Sequence, residues 1–319
     1  MVRILVIFVQ LAACALALPS WGQPYPGRPI RMLIPQPAGG TMDTIARMVS
    51  HQLVPVLGQN IVIDNRSGAN GIIAGDTLAK AAPDGYTLLY TSASLANNQL
   101  VHKKLPYDAL RDFAPVTQVT TLPGYLILVN AQSPVRTLKE LIDLSKKQPV
   151  HFGSSGVGNS QHLLGELVNV RGGANMTHVP YKGFALIVTA LMSNEIQVAF
   201  GAPTTVVPHI KAGRLRAIAY TGEHRWSGMP DLPIAGETLK GFAYEASWHG
   251  IFAPRGAPRP VIMKLQTEVA KIVLDPAMRA KLESGGHVPI GSKPEAFAKF
   301  LREYFKETEA QLRIAKVIK

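Results

Sequence analysis

The sequence predicts an α/β fold with a mainly parallel sheet, built from two sets of strand–helix units. Short β-like runs alternate with apolar residues at helical spacing along the chain. A strand, a loop of small residues and a helix follow one another once in each half. The chain has 319 residues, enough for about two domains that each bury a core. Hydrophobic residues make up 47% and charged residues 17%, which excludes an intrinsically disordered protein.

The first half is predicted to begin with a strand, a glycine turn and a helix. Residues 30–35 form an apolar run typical of a strand, and Gly39–Thr41 follow as a turn. Apolar residues then recur at helical spacing from Ile45 to Val56, with Thr41 or Asp43 able to cap the first helical turn. Further elements are predicted as strands at 61–63 and 87–91 and a helix from about 71 to 82.

The second half has the same order of elements. Thr137 and Glu140 have the spacing of a capping box, which predicts a helix through Leu144. An apolar strand at 150–154 runs into a small-residue loop, and apolar residues at helical spacing follow it. Other predicted elements are strands at 125–129, 196–200 and 215–220, and C-terminal helices that include an apolar stripe from Val261 to Val273 and a final helix from near Ser292.

The N-terminus is predicted to be a signal peptide covering residues 1–22. Arg3 precedes an almost wholly apolar run from residue 4 to 18, and Ser20 and Gly22 are small residues at the positions that favour cleavage. The run is shorter than the ~20 residues that span a bilayer, so a membrane anchor is disfavoured. Lipidation at Cys14 is a further alternative, although the apolar run continues past that cysteine.

Composition excludes several classes of function. The net charge is +12, but the longest basic runs are two lysine pairs without interleaved aromatic residues, so no nucleic-acid partner is expected. The single cysteine excludes a disulfide framework and a cysteine-based metal centre. The nine histidines show no metal-binding spacing, so we expect no metal and no cofactor.

Two glycine-containing loops are the candidate binding elements. The first loop is Pro37–Asp43 and the second loop is Gly153–Ser160. Neither matches a phosphate loop or a dinucleotide fingerprint. Both lie between a predicted strand and a predicted helix, where free amides and the helix dipole favour an anion, and a small carboxylate fits better than a pyrophosphate. The alternative is that each loop is only a turn whose glycines permit its backbone path.

A hydrolase is a second hypothesis. Ser154 and Ser155 are not in a Gly-x-Ser-x-Gly elbow, and the sequence does not certify a triad. A secreted enzyme acting on a carboxylate would use Ser154 or His249. Trp248 is consistent with either a pocket wall or a core position.

Ordered motifs along nearly the whole chain after residue 22 resemble the Bug family, the extracytoplasmic solute-binding receptors of tripartite tricarboxylate transporters. The motifs are the proline-rich start at 24–31, the first loop, and then 65–71, 83–87, 153–163, 178–183, 208–217 and 225–233.

This resemblance implies a type II-like periplasmic binding protein of the Venus flytrap kind, with two α/β lobes and a ligand cleft between them. The expected lobes are residues 23–122 plus 245–319, and residues 123–244. The implied function is capture of a small organic carboxylate and delivery to integral membrane transporter subunits, with no catalysis. We expect a monomer in the periplasm. The expected ligand-binding residues are Pro37, Ala38, Gly39, Gly40, Thr41, Asp43, Ser92, Ser154, Ser155, Gly158, Asn159, Ser160, Tyr181 and Ala202.

The chain departs from this family at the end of the strand 196–200. Many relatives carry an aspartate where Gly201 stands and a polar residue where Ala202 stands. If that aspartate meets an amino group, its absence favours an acid without one. A binding protein that signals to a membrane sensor is a third hypothesis, which the sequence does not distinguish from a transport receptor.

Overall fold

The computed structural model describes residues 25–318. The predicted signal peptide and Cys14 therefore lie outside the described residues. The strands are β1 (Ile30–Ile34), β2 (Ile61–Asn65), β3 (Thr87–Ser92), β4 (Phe113–Leu122), β5 (Leu126–Asn130), β6 (Val150–Ser154), β7 (Met176–Pro180), β8 (Val198–Gly201), β9 (Leu215–Tyr220), β10 (Ser247–Pro254) and β11 (Val288–Pro289). The helices are α1 (Thr41–Leu57), α2 (Ile72–Ala79), α3 (Ser94–Val101), α4 (Leu138–Ser145), α5 (Ser160–Gly172), α6 (Phe184–Met192), α7 (Pro203–Lys211), α8 (Ala235–Thr238), α9 (Arg259–Leu274), α10 (Pro276–Ser284) and α11 (Pro294–Ile314), with a 3₁₀ turn at Ala69–Gly71.

The strands form two mixed sheets. The first has the order β11-β4-β10-β3-β1-β2, in which β1 is parallel to β2 and β3 while β10 is antiparallel to both of its neighbours. The second has the order β7-β6-β8-β5-β9, in which β6 is parallel to β7 and β8 while β5 is antiparallel to β8 and β9. The α/β fold is confirmed, but the prediction of a mainly parallel arrangement is wrong.

The antiparallel pairs arise where the chain passes between the sheets. β4 ends at Leu122 in the first sheet and β5 begins at Leu126 in the second. The chain returns after β9, and β10 enters the first sheet in the direction opposite to β3. The sequence did not predict β4 or β10, because polar and glycine residues interrupt their apolar runs. Thr117 of β4, for example, is fully buried and donates to the carbonyl of Ser292 at 2.8 Å.

Helices cover both sheets and bury separate apolar clusters. On the first sheet, α1, α9 and α10 cover one face, and α2, α3 and α11 cover the other. Trp248 is fully buried in the second of these clusters, with its ring 5.5 Å from that of Phe297. It is therefore a core residue and not a pocket wall.

The last helix contributes to the cores of both sheets. Phe297 and Leu301, near the start of α11, pack with Trp248 against the first sheet. Leu312, near its end, is fully buried in the cluster of the second sheet. α11 therefore joins the two sheets in addition to the chain crossings. Among residues 25–318, every helix is too short or too polar to cross a membrane.

Candidate functional site

The carboxyl ends of the parallel strands in one sheet face those in the other. A methyl group at Gly183, after β7, would lie 3.4 Å from Pro37 Cγ in the first loop. A methyl group at Gly156, in the second loop, would lie 3.4 Å from Asn70 Cβ in the turn after β2. The first loop therefore meets the segment after β7, and the second loop meets the turn after β2, where the two sheets face each other.

The first loop leaves the first backbone amides of α1 without hydrogen-bond acceptors. The first amide of α1 to bond within the helix is that of Thr44, which donates to Gly40 at 2.9 Å. Gly40 is the N-cap residue and has no side chain to cap the helix. Among the described residues, the amides of Thr41, Met42 and Asp43 have no acceptor. These donors and the positive end of the helix dipole suit an anion.

Asp43 holds the first loop in shape. Its carboxylate accepts from Gly39 N–H at 3.0 Å, from Arg47 Nε at 2.9 Å and from Asn65 Nδ2 at 3.0 Å. Burial by itself would raise the pKa of Asp43, but the hydrogen bonds from Arg47, Gly39 and Asn65 outweigh it and lower the pKa. The carboxylate is therefore ionised and partnered within the protein.

Gln161 organises the second loop from the first turn of α5. Its Oε1 accepts from the amide and the hydroxyl of Ser155, both at 3.0 Å, and from Asn159 Nδ2 at 3.3 Å. Its Nε2 donates to the carbonyl of Phe200 in β8 at 2.7 Å. Asn159 caps α5 by accepting from the His162 amide at 2.9 Å. The loop is thereby tied both to its own helix and to the neighbouring strand.

Two stacked histidines lie beneath the second loop. Ser154 Oγ is 2.5 Å from His178 Nε2, and the rings of His178 and His162 are stacked with centroids 4.0 Å apart. His162 Nδ1 accepts from the Gly158 amide at 3.1 Å. Burial lowers the pKa of both histidines to about 4, with a further contribution from His162 to His178. Both rings are therefore neutral at pH 7 and position the loop by hydrogen bonds.

Comparison with known proteins assigns the family. Residues 45–316 match the family described as "Tripartite tricarboxylate transporter family receptor". The chain belongs to this family. Protein BugT of Bordetella pertussis is 32% identical over 98% of this chain and 99% of its own. Among solved structures, R. palustris Rpa4515 with adipate has a TM-score of 0.88 and 31% identity, covering 92% of this chain and 98% of its own. MatC from Rhodopseudomonas palustris with bound malate has a TM-score of 0.83 and 28% identity, covering 90% and 100%.

The receptor thus has the family and the fold that its motifs predicted. Other solved proteins that share the fold are described as a periplasmic transporter and as the periplasmic binding protein BugD. The predicted function of a solute-binding receptor for a tripartite transporter is confirmed at the level of the family.

Three predicted site residues lie outside the two loops. Ser92 ends β3, is 8% exposed, and its hydroxyl is 3.2 Å from that of Ser94. The Tyr181 amide donates to Ser154 at 2.8 Å, but its hydroxyl donates to Glu195 at 2.7 Å and its ring packs on the second sheet. Ala202 is the N-cap residue of α7 and packs with residues of the two crossings, Leu122 and Ala246. The side chain of Tyr181 therefore makes its contacts within the part of the chain that forms the second sheet and its helices.

The histidine and serine named in the enzyme hypothesis are both enclosed. Ser154 has no exposed surface, so its hydroxyl is not accessible to a substrate. His249 is 5% exposed and stacks on His287 with centroids 5.2 Å apart. Burial, with a smaller effect of His287, lowers the pKa of His249 well below its ordinary range. Within residues 25–318, no three His, Cys, Asp or Glu side chains converge on a metal position.

Gln161, Asn70 and Asn98 are not among the site residues that the sequence predicts. Asn70 appeared only within a motif, although an asparagine before glycine is a recognised signal for a left-handed backbone. Gln161 carried no such signal, because the partners of a glutamine amide depend on which strands lie beside its helix.

A separate cavity of about 660 Å³ lies beside the crossings, on the side of β9 and β11. Residues from both sheets line it, including Tyr220, Trp226, Glu245 and Val288. None of the predicted site residues is among them.

Proposed function

We propose that the receptor captures a small organic carboxylate in the cleft and delivers it to the membrane subunits of a tripartite transporter. The observation that supports this most directly is the pair of opposed glycine loops, one of which presents three unpaired amides of α1. The proposed lobes are residues 23–122 plus 245–319 and residues 123–244. Residues 1–22 would direct the chain to the periplasm, where it acts as a monomer.

Backbone donors, not an ion pair, would hold the carboxylate. Arg47, the basic side chain nearest the first loop in sequence, is engaged with Asp43 at 2.9 Å and does not offer a free charge. Free amides at a helix N-terminus bind anions without a cationic side chain. The proposed ligand contacts come from the first loop, Ser92, the second loop and Ala202, with Asp43 and Ser154 acting on the shape of the loops and the Tyr181 amide holding the strand end.

The ligand is proposed to lack an amino group. A methyl group at Gly201 would lie 2.4 Å from Val206 Cγ1 and 2.7 Å from Phe184 Cζ, so apolar side chains fill the space that an acidic side chain would need. A carboxylate side chain therefore has no room at position 201 to pair with an ammonium group of the ligand. Adipate and malate, which the solved relatives bind, are dicarboxylates without an amino group, and this class is our first choice for the receptor.

Native mass spectrometry and a thermal-shift screen test the proposal. The screen would compare mono-, di- and tricarboxylates, aromatic acids and acidic amino acids with the purified mature protein. A ligand that binds only the folded state raises Tm by mass action, so we expect a dicarboxylate to raise it and aspartate to leave it unchanged. If no acid shifts Tm and none is retained, the proposal is wrong. If aspartate gives the largest shift, the ligand class is wrong.

A further inference from the structure

The turn after β2 has an unusual backbone. Four successive residues, Gly68 to Gly71, have positive φ, and two of them are not glycine: Ala69 at +46° and Asn70 at +52°. The left-handed region is unfavourable for side chains other than glycine, and it persists only where the surrounding structure maintains it. The contacts of this turn therefore indicate what maintains it.

A reciprocal pair of asparagines fixes the turn within the first lobe. Asn70 Nδ2 donates to Asn98 Oδ1 at 2.9 Å, and Asn98 Nδ2 donates to the Asn70 carbonyl at 3.0 Å. Asn98 lies on α3 and is 1% exposed. The buried amide thus sets both the backbone and the side chain of Asn70.

The same side chain reaches the second loop. Asn70 Nδ2 is 3.4 Å from the Val157 carbonyl oxygen, although 87 residues separate the two. Gly156 is in contact with Asn70. A methyl group at Gly158 would lie 3.0 Å from Val101 of α3. The second loop therefore rests on a surface made by the turn and α3.

We infer that Asn70 is a closure residue: it binds the second loop when the lobes close, and so sets how long the ligand stays bound without touching it. The inference rests on the proposed function, because it concerns the same cleft. Since Asn98 already fixes the turn, the first lobe presents a preformed surface to the closing loop. Losing the contact would accelerate opening and leave ligand entry unaffected.

Asn70→Gly is the direct test. Glycine accepts the left-handed backbone and keeps the carbonyl that accepts from Asn98 Nδ2, so the ligand-free variant should fold, with a Tm lowered because the buried Asn98 Oδ1 loses its donor. The probe is the acid that gives the largest rise in Tm in the screen. We expect its dissociation rate constant, from stopped-flow displacement, to rise about three- to tenfold with little change in the association rate constant. Asn60→Ala, an exposed asparagine at the opposite end of β2, is the matched control.

An engineered disulfide tests the contact without relying on rates of ligand release. The Cβ positions of residues 70 and 156 are 3.4 Å apart, close to the usual separation in disulfides. The only natural cysteine lies in the predicted signal peptide, so Asn70→Cys with Gly156→Cys would be the only thiol pair of the mature protein. We expect the probe acid to accelerate its oxidation and to become trapped. Asn60→Cys with Gly156→Cys should not form a disulfide.

The outcomes separate this inference from the proposed function. If no acid raises Tm, the proposed function fails, yet oxidation of the 70–156 pair without ligand still reports whether the turn and the loop meet. If an acid binds but Asn70→Gly releases it at the wild-type rate, the closure role is wrong. Failure of the 70–156 pair to oxidise faster than the 60–156 pair would also overturn it.

Discussion

At the scale of single residues, the polar side chains beside the cleft mostly bond to the protein itself. The carboxylate of Asp43 is satisfied by Gly39, Arg47 and Asn65. The amide of Gln161 is satisfied by Ser155, Asn159 and Phe200. In the proposed mode of binding, the free backbone amides are therefore the donors for the ligand. Mutation of these side chains is expected to act on ligand binding through the shape of the loops.

Gln161→Ala is predicted to weaken both the fold and the binding of the probe acid. The change removes the partners of the Ser155 amide and of the buried Phe200 carbonyl, and unsatisfied buried groups cost about 1–3 kcal/mol. We expect the free energy of unfolding, measured in urea, to fall by about that amount and the Kd to rise about tenfold. Gln148→Ala, at an exposed position, is the control. Equal effects of the two changes would contradict the role of Gln161.

The histidine pair predicts a pH dependence of stability. In the folded protein the pKa values of His162 and His178 are about 4, below their ordinary value of 6.5, chiefly because both rings are buried. The unfolded chain takes up protons near its ordinary pKa while the folded chain does not. The free energy of unfolding should therefore be highest above about pH 6.5 and should fall as the pH drops towards about 4.

The variant His178→Gln measures how much His178 contributes to the pH dependence of stability. Glutamine can still bond to Ser154 but does not titrate, so the slope of stability against pH between pH 6.5 and 4.5 should become smaller. Urea unfolding at four pH values across this range gives the slope. Asn60→Ala, at an exposed position without a titratable side chain, should keep the wild-type slope. An unchanged slope in His178→Gln would show that the buried pair does not control the pH dependence.

At the scale of elements, the strand–loop–helix order was predictable because each unit is local. A glycine loop between an apolar strand and a helical repeat places free amides at the start of that helix whatever surrounds it. The first loop has this structure, with Gly40 as the N-cap of α1. β4 and β10 were missed because polar residues inside them are satisfied by distant segments, as Thr117 is by Ser292.

Gly40→Val is predicted to block the ligand and leave the fold intact. Gly40 has φ −77°, which any residue adopts, and the first atom that a Cβ would meet is Gln36 Oε1 at 3.4 Å. The branched side chain would cover the free amides of α1. We expect no thermal shift with the probe acid and a ligand-free Tm close to that of the wild type. Ala280→Val, exposed on α10, should bind normally; normal binding by Gly40→Val would remove the first loop from the site.

At the scale of the whole molecule, the two sheets are connected by two crossings and by α11. The helix begins in the core of the first sheet with Phe297 and ends in that of the second with Leu312. Its last turns therefore pack in the core of the second sheet, whereas its first turns pack in the core of the first.

Leu312→Ala tests this connection. Truncating a fully buried leucine typically costs about 2–5 kcal/mol, so the free energy of unfolding should fall by that amount. Ile314→Ala lies two residues further on the same helix at a position that is 44% exposed, and it should cost less than about 1 kcal/mol. Denaturation in urea followed by circular dichroism gives both values. A small effect of Leu312→Ala would show that the end of α11 is not part of the second core.

The sequence by itself determined the α/β class, the glycine loops at helix N-termini and the family, because periodicity and backbone preference act over a few neighbouring residues. Only the tertiary structure decided that β10 runs antiparallel to β3, that Ser154 rests on His178, and that Asn70 meets Val157 from 87 residues away. Such contacts depend on the path of the chain between two sheets, and no local pattern of residues encodes that path.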